Sequence, residues 1–152
     1  MRLEIAEGRR RFARARVLRL ATTDGDGRPH CVPATFALDA DTVVMAVDNK
    51  PKRHQELRRL RNIRANPVVS LLVDHYDEDW RRLWWVRADG RARILPDASA
   101  AGHTAAVERL VAKYPQYAGR PPRGPVTEVE VVRWTGWAYT GGPGRGPDSP
   151  ES

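Results

Sequence analysis

Two Asp-Gly pairs in succession, Asp24-Gly25-Asp26-Gly27, separate the apolar run Val17 to Thr22 from a second extended run, Arg28 to Leu38. Asp-Gly accepts the positive φ angles of a tight hairpin, so the two runs are expected to pair as antiparallel strands. Pro29 and Pro33 remove ladder donors from the second run and place it at an edge or beside an irregular segment. After Asp39-Ala40-Asp41 the run Thr42 to Val47 is almost wholly apolar, which predicts a strand buried on both faces or closed into a barrel. Further strands are expected at Val68 to Asp74, at a Trp-rich run from Leu83 to Leu95, and at Val126 to Tyr139, where Val129 and Val131 alternate with Glu128 and Glu130. Strands in antiparallel hairpins with only short helical inserts argue against a doubly wound parallel sheet. They predict a mainly β chain with short helices, closed or half-closed into a barrel.

Three helices punctuate the strands. Leu3 to Ala15 is rich in helix formers, and Ile5 and Phe12, seven positions apart, are expected to share its buried face. Asn49-Lys50-Pro51 breaks the sheet before a helix from Lys52 to Ala65, with Leu57, Leu60 and Ile63 on one face; Asn66-Pro67 ends it. Val107, Leu110, Val111 and Tyr114 mark a third helix after Pro96-Asp97, and a Pro- and Gly-rich loop, Gln116 to Pro125, leads to the last strand. A chain of 152 residues fits one domain, read here as residues 1–140, and the Pro/Gly-rich stretch 141–152 reads as a flexible tail. No apolar run approaches the roughly 20 residues of a membrane span. Charges near the N-terminus argue against an export signal, so a cytoplasmic location is expected. The single Cys31 has no thiol partner and reads as buried filler.

The net charge of +7 calls for an anion. The arginines are spread over helices and strands without a zinc-finger or RNA-binding signature, which argues against nucleic acid. The sharper signal is Lys50-Pro51-Lys52-Arg53: a strand ends, Pro fixes the turn, and cations open a helix whose first N–H groups have no internal partners. Cations there oppose the helix dipole at ~0.3–1 kcal/mol each, a cost that a bound phosphate would offset. His30 reads as a sheet-face residue and Asp77-Glu78-Asp79 as a solvated loop. His30, His54, His75 and His103 are too scattered to form a metal set. The five tryptophans, Trp80, Trp84, Trp85, Trp134 and Trp137, read as core or subunit packing, with Trp80 and Trp137 also candidates to wall a flat ligand. Strongly apolar strands in so short a chain suggest that a second subunit covers part of the sheet.

From Val17 to Leu95 the chain resembles the pyridoxamine 5′-phosphate oxidase-like superfamily. Lys50 to Arg53, Leu57 to Ile63, Asp77 to Trp80 and Leu83 to Arg87 are similar to its actinobacterial deazaflavin-dependent branch. The resemblance implies a six-stranded split barrel, of FMN-binding Greek-key type, that forms a homodimer with cofactor sites at the subunit interface. It implies that Lys50, Lys52 and Arg53, with Arg59 behind them, hold a cofactor phosphate, and that the edge containing Val32, Pro33, Ala34 and Thr35 lines the ring, walled by Trp80 and Trp137. The implied cofactor is the deazaflavin coenzyme F420, with FMN as the alternative. The implied activity is hydride transfer to a small planar, electron-poor substrate. The competing readings are an FMN-dependent oxidase or reductase and a non-catalytic carrier of deazaflavin or haem.

Overall fold

The computed structural model describes residues 1–47 and 53–139, with the backbone alone for 53–57. The hairpin forms where the Asp-Gly pairs predict it. Strand β1 (Leu18–Thr23) pairs antiparallel with β2 (Pro29–Ala34), Leu20 opposite Val32. Asp24 Oδ1 accepts from the amides of Asp26 and Arg28, both at 2.9 Å, and Gly27 takes φ 81°, a value that a side chain would resist. The extended run that follows is not one strand. It breaks at Thr35-Phe36, and β3 (Ala37–Asp39) begins a separate pairing with β4 (Thr42–Ala46). The break has a side-chain cause: Phe36 turns into the core, fully buried, and its amide donates to the Tyr114 hydroxyl at 3.1 Å instead of to a neighbouring strand.

Helix α2 (Arg53–Ala65) leads to β5 (Val68–His75), and a short 3-10 turn, Trp80–Arg82, precedes β6 (Trp84–Leu95). Helix α3 (His103–Lys113), a second 3-10 turn, Pro115–Tyr117, and β7 (Val126–Ala138) complete the chain after the leading helix α1 (Ile5–Arg14). Among the described residues seven strands form one antiparallel sheet in the order β2-β1-β5-β6-β7-β4-β3. Seven replace the six expected because the run Arg28 to Leu38 is divided. The sheet curves around a single core to which every strand contributes, among them Leu18, Leu20, Val32, Leu38, Val43, Met45, Leu71, Val86 and Val129. Its two edge strands are consecutive in sequence, joined by Thr35-Phe36. A register shift between Asp89 and Gly90 bends the long β6–β7 ribbon, and Gly90 is needed there because a Cβ would collide with the Glu130 carbonyl oxygen.

Strand β4 is buried on both faces, as its apolar run predicts. Val43 and Met45 face the main core, while Val44 and Ala46 pack with Leu110, Ala106 and Tyr114 of the α3 side. Helix α1 departs from expectation. Phe12 is fully buried, in edge contact with Phe36 (centroids 5.0 Å) and Trp134 (5.2 Å), but Ile5 is 54% exposed. The buried partner of Phe12 is Gly8, one turn away, which lets the helix approach Val86. In α2, Leu60 and Ile63 are buried as the pattern predicts, and the buried amide of Asn62 donates to Thr22 Oγ1 at 3.0 Å.

Candidate functional site

Strand alternation splits the sheet into two chemistries. Leu18, Leu20, Leu71, Val73, Val86 and Ala88 point into the core, and the residues between them point outward. Arg19, Ala21, Cys31, Ser70, Leu72, Asp74, Trp85 and Arg87 line a shallow groove of about 460 Å³ on that outer face. Cys31 is therefore exposed, not buried filler: its neighbours in β2, His30 and Val32, take the inward positions. Leu72 is 37% exposed in the middle of the face. Asp89 joins two strands by accepting from Ser70 Oγ at 2.9 Å and from Arg87 Nε at 3.0 Å, and the Arg87 guanidinium lies 5.9 Å from the Trp85 ring centroid. Opposite Arg87 on β7, the Thr135 hydroxyl is buried without a hydrogen-bond partner. The sequence carries a signal for this groove, polar residues alternating with core residues in β1, β5 and β6, but only the sheet makes those three strands neighbours.

The basic helix and the β2 edge come together. His30 faces Thr22 across the β1–β2 ladder, beneath α2, and its Nδ1 is buried without a partner. Burial, then the positive charges of Arg58 and Arg59, hold its pKa below the ordinary histidine value. Arg59 thus acts on the strand assigned to the ring. Lys50 and Lys52 lie outside the described residues, and of Arg53 the structure describes only that it opens α2. Val32 and Ala34 pack against the core, Pro33 is exposed, and Thr35 occupies the strand break with its hydroxyl 2.7 Å from that of Tyr117.

Trp80 and Trp137, the candidates to wall a flat ligand, stand on different elements. Trp80 is 64% exposed in the 3-10 turn before β6, and Trp137 is half-buried in β7 opposite Trp85. In the sheet order β7 lies four strands from β2. Among the described residues no helix is long and apolar enough to cross a membrane, and no group of three His, Cys, Asp or Glu could hold a metal ion.

A curved antiparallel sheet whose two edge strands are joined through a short break, with a basic helix packed on β1 and β6, is a split-barrel architecture. The chain belongs to the pyridoxamine 5′-phosphate oxidase family (PNPOx_N), whose model matches residues 5–138. Among solved structures it is similar to an FAD-binding protein from Mesorhizobium loti, at 24% identity over 90% of this chain and 95% of that one, TM-score 0.66. It is similar to the FAD-binding protein from Mycobacterium smegmatis at 19% identity, covering 90% and 96%, TM-score 0.63. It is also similar to the haem storage protein HutZ from Vibrio cholerae at 18% identity, covering 91% and 95%, TM-score 0.67. At these identities the likeness establishes the fold. Comparison with curated protein sequences gives no match.

Proposed function

We propose that this protein binds a flavin-type cofactor, the deazaflavin coenzyme F420 in preference to FMN, between two copies of the chain and acts as an oxidoreductase on a small planar, electron-poor substrate. The observation that carries the reading is that α2 packs on β1, the partner of β2: Asn62 donates to Thr22, which lies opposite His30, three residues before Pro33 of the assigned ring edge. Lys50, Lys52, Arg53 and Arg59 would hold its anionic tail at the helix opening, and the backbone of Val32 to Thr35 would flank its ring. When bound, a reduced deazaflavin or flavin supplies a hydride. The chain's own task is to set substrate and ring face to face and to exclude water.

The dimer belongs to the same proposal. The outer face, with Leu72, Ala21 and Trp85 at its centre, suits a self-complementary contact. Arg19 and Asp74 on that face have no ion-pair partner among the described residues, and a two-fold axis between them would let each meet the other's counterpart. A second reading, a non-catalytic carrier of haem or deazaflavin, is favoured by the likeness to the haem storage protein.

Titration of purified protein with oxidised and reduced coenzyme F420, FMN and haemin tests both. Micromolar binding of a deazaflavin or flavin with turnover of activated alkenes or quinones is expected. Haem binding alone selects the carrier, and failure of all three ligands refutes the proposal. Lys52→Ala with Arg53→Ala is expected to weaken the bound cofactor by roughly 2–4 kcal/mol, from charge-assisted hydrogen bonds of ~1.5–3 kcal/mol each that do not fully add. Unchanged affinity would move the phosphate elsewhere.

A further inference from the structure

The strand break at Thr35-Phe36 is held by side chains from far along the chain. The Phe36 amide donates to the Tyr114 hydroxyl at 3.1 Å, and that hydroxyl donates to the Arg16 carbonyl at 2.9 Å. The hydroxyls of Thr35 and Tyr117 share a hydrogen bond of 2.7 Å. Lys113 sets its Nζ 3.6 Å from the centroid of the Phe36 ring and donates to the Ala15 carbonyl at 2.7 Å. Arg16 answers by donating to the Lys113 carbonyl at 3.1 Å, with its guanidinium 4.7 Å from the Tyr114 centroid. One helical turn and the 3-10 turn after it therefore grip both sides of the break and the junction between α1 and β1.

Packing alone does not account for these residues. Phenylalanine at 114 would fill the same volume without the hydroxyl, and methionine at 113 would cover Phe36 without a charge. Lys113 has no ion-pair partner among the described residues, and Arg16, the charged group that faces it, has its own sign. Burial and Arg16 together depress its pKa to about 8, so the folded chain accommodates the ammonium at a cost. Tyr114 is buried, and that burial raises its pKa, which keeps its proton available for the Arg16 carbonyl while the oxygen accepts from Phe36. An arrangement kept against the preference of its own packing is expected where geometry matters to function.

We propose that Lys113, Tyr114 and Tyr117 form a clasp that fixes the Thr35–Phe36 break and thereby aims the β2 edge, making them positioning residues for a ring bound along it. The functional part of this inference rests on the cofactor reading above. The break lies where two strands of a curved sheet part company, so a small rotation there swings Val32 to Thr35 relative to the rest of the sheet. Phosphate contacts at α2 lie on another element and are untouched by it.

The experiment compares wild type, Tyr114→Phe and Tyr117→Phe by amide hydrogen exchange, by titration with coenzyme F420, riboflavin, FMN and pyrophosphate, and by the absorption spectrum of the bound ring. In Tyr114→Phe the Phe36 amide should lose roughly 10-fold protection relative to the core amide of Leu71, the effect of one lost hydrogen bond at a locally opening site. The ring compounds should weaken by one common factor of about 5–10, pyrophosphate should be unaffected, and the ring spectrum should shift. Tyr117→Phe, at a partly buried site outside the two core clusters' fully buried residues, should repeat the ring effects without threatening the fold. Unaltered protection of Phe36 in Tyr114→Phe overturns the clasp. Lost protection with unaltered ring affinity and spectrum overturns the positioning role. Wild-type protein that binds no ring compound overturns the cofactor reading and the positioning role together, and is told apart because the wild type itself fails while the amide arm still judges the clasp.

Discussion

Replacing Lys113 with Met leaves the stem over Phe36 and removes the ammonium, which makes the cost of burying that charge measurable. The folded chain lowers the Lys113 pKa from 10.5 to about 8, through burial first and the Arg16 charge second. Below about pH 8 the group is protonated in both folded and unfolded chains, and the penalty is fully present. Between there and 10.5 unfolding takes up a proton, so stability rises with pH across that window. Undiscounted, the shift corresponds to ~3.4 kcal/mol at 1.36 kcal/mol per pH unit. Lys113 is only half-buried and solvent screens it, so about 1.5 kcal/mol is the realistic change. Urea unfolding of both proteins at intervals from pH 7 to 10.5 isolates it, because other titrations cancel in the difference. The stability of wild type relative to Lys113→Met should climb by that amount, mostly above pH 8. A flat difference, or one that falls with pH, would refute the assignment to this site of an ammonium without an ion-pair partner.

Removing the guanidinium groups beside His30 tests the electrostatic link between α2 and β2. Arg58→Ala with Arg59→Ala should raise the His30 pKa toward its ordinary value, read from its ring resonances by NMR, though burial, the leading cause, will keep it depressed. A stationary midpoint would mean that the helix charges do not reach the strand. At the bend of the long ribbon, Gly90→Ala forces a Cβ against the Glu130 carbonyl. It should cost about 1–3 kcal/mol in chemical denaturation, the range for overpacking, and a neutral substitution would refute the close approach.

Local chemistry was enough for most elements. The Asp-Gly turn, the apolar β4 run and the 3.6-residue spacing of Leu60 and Ile63 each carry their own geometry, so strand and helix positions followed from neighbours in sequence. The expectation of an anion at the α2 opening likewise comes from local sequence, Lys50, Lys52 and Arg53 beside a helix start, of which Lys50 and Lys52 lie outside the described residues. What required the folded chain were contacts between distant residues. Gly8 rather than Ile5 faces the core with Phe12, against Val86 some eighty positions away, a contact that the spacing within the helix does not reveal. The run Arg28 to Leu38 is broken because the Tyr114 hydroxyl captures the Phe36 amide. The outer groove exists only once the four strands β2, β1, β5 and β6 are in register. Sequence periodicity says which residues share a face, and only the pairing of strands says what that face encloses.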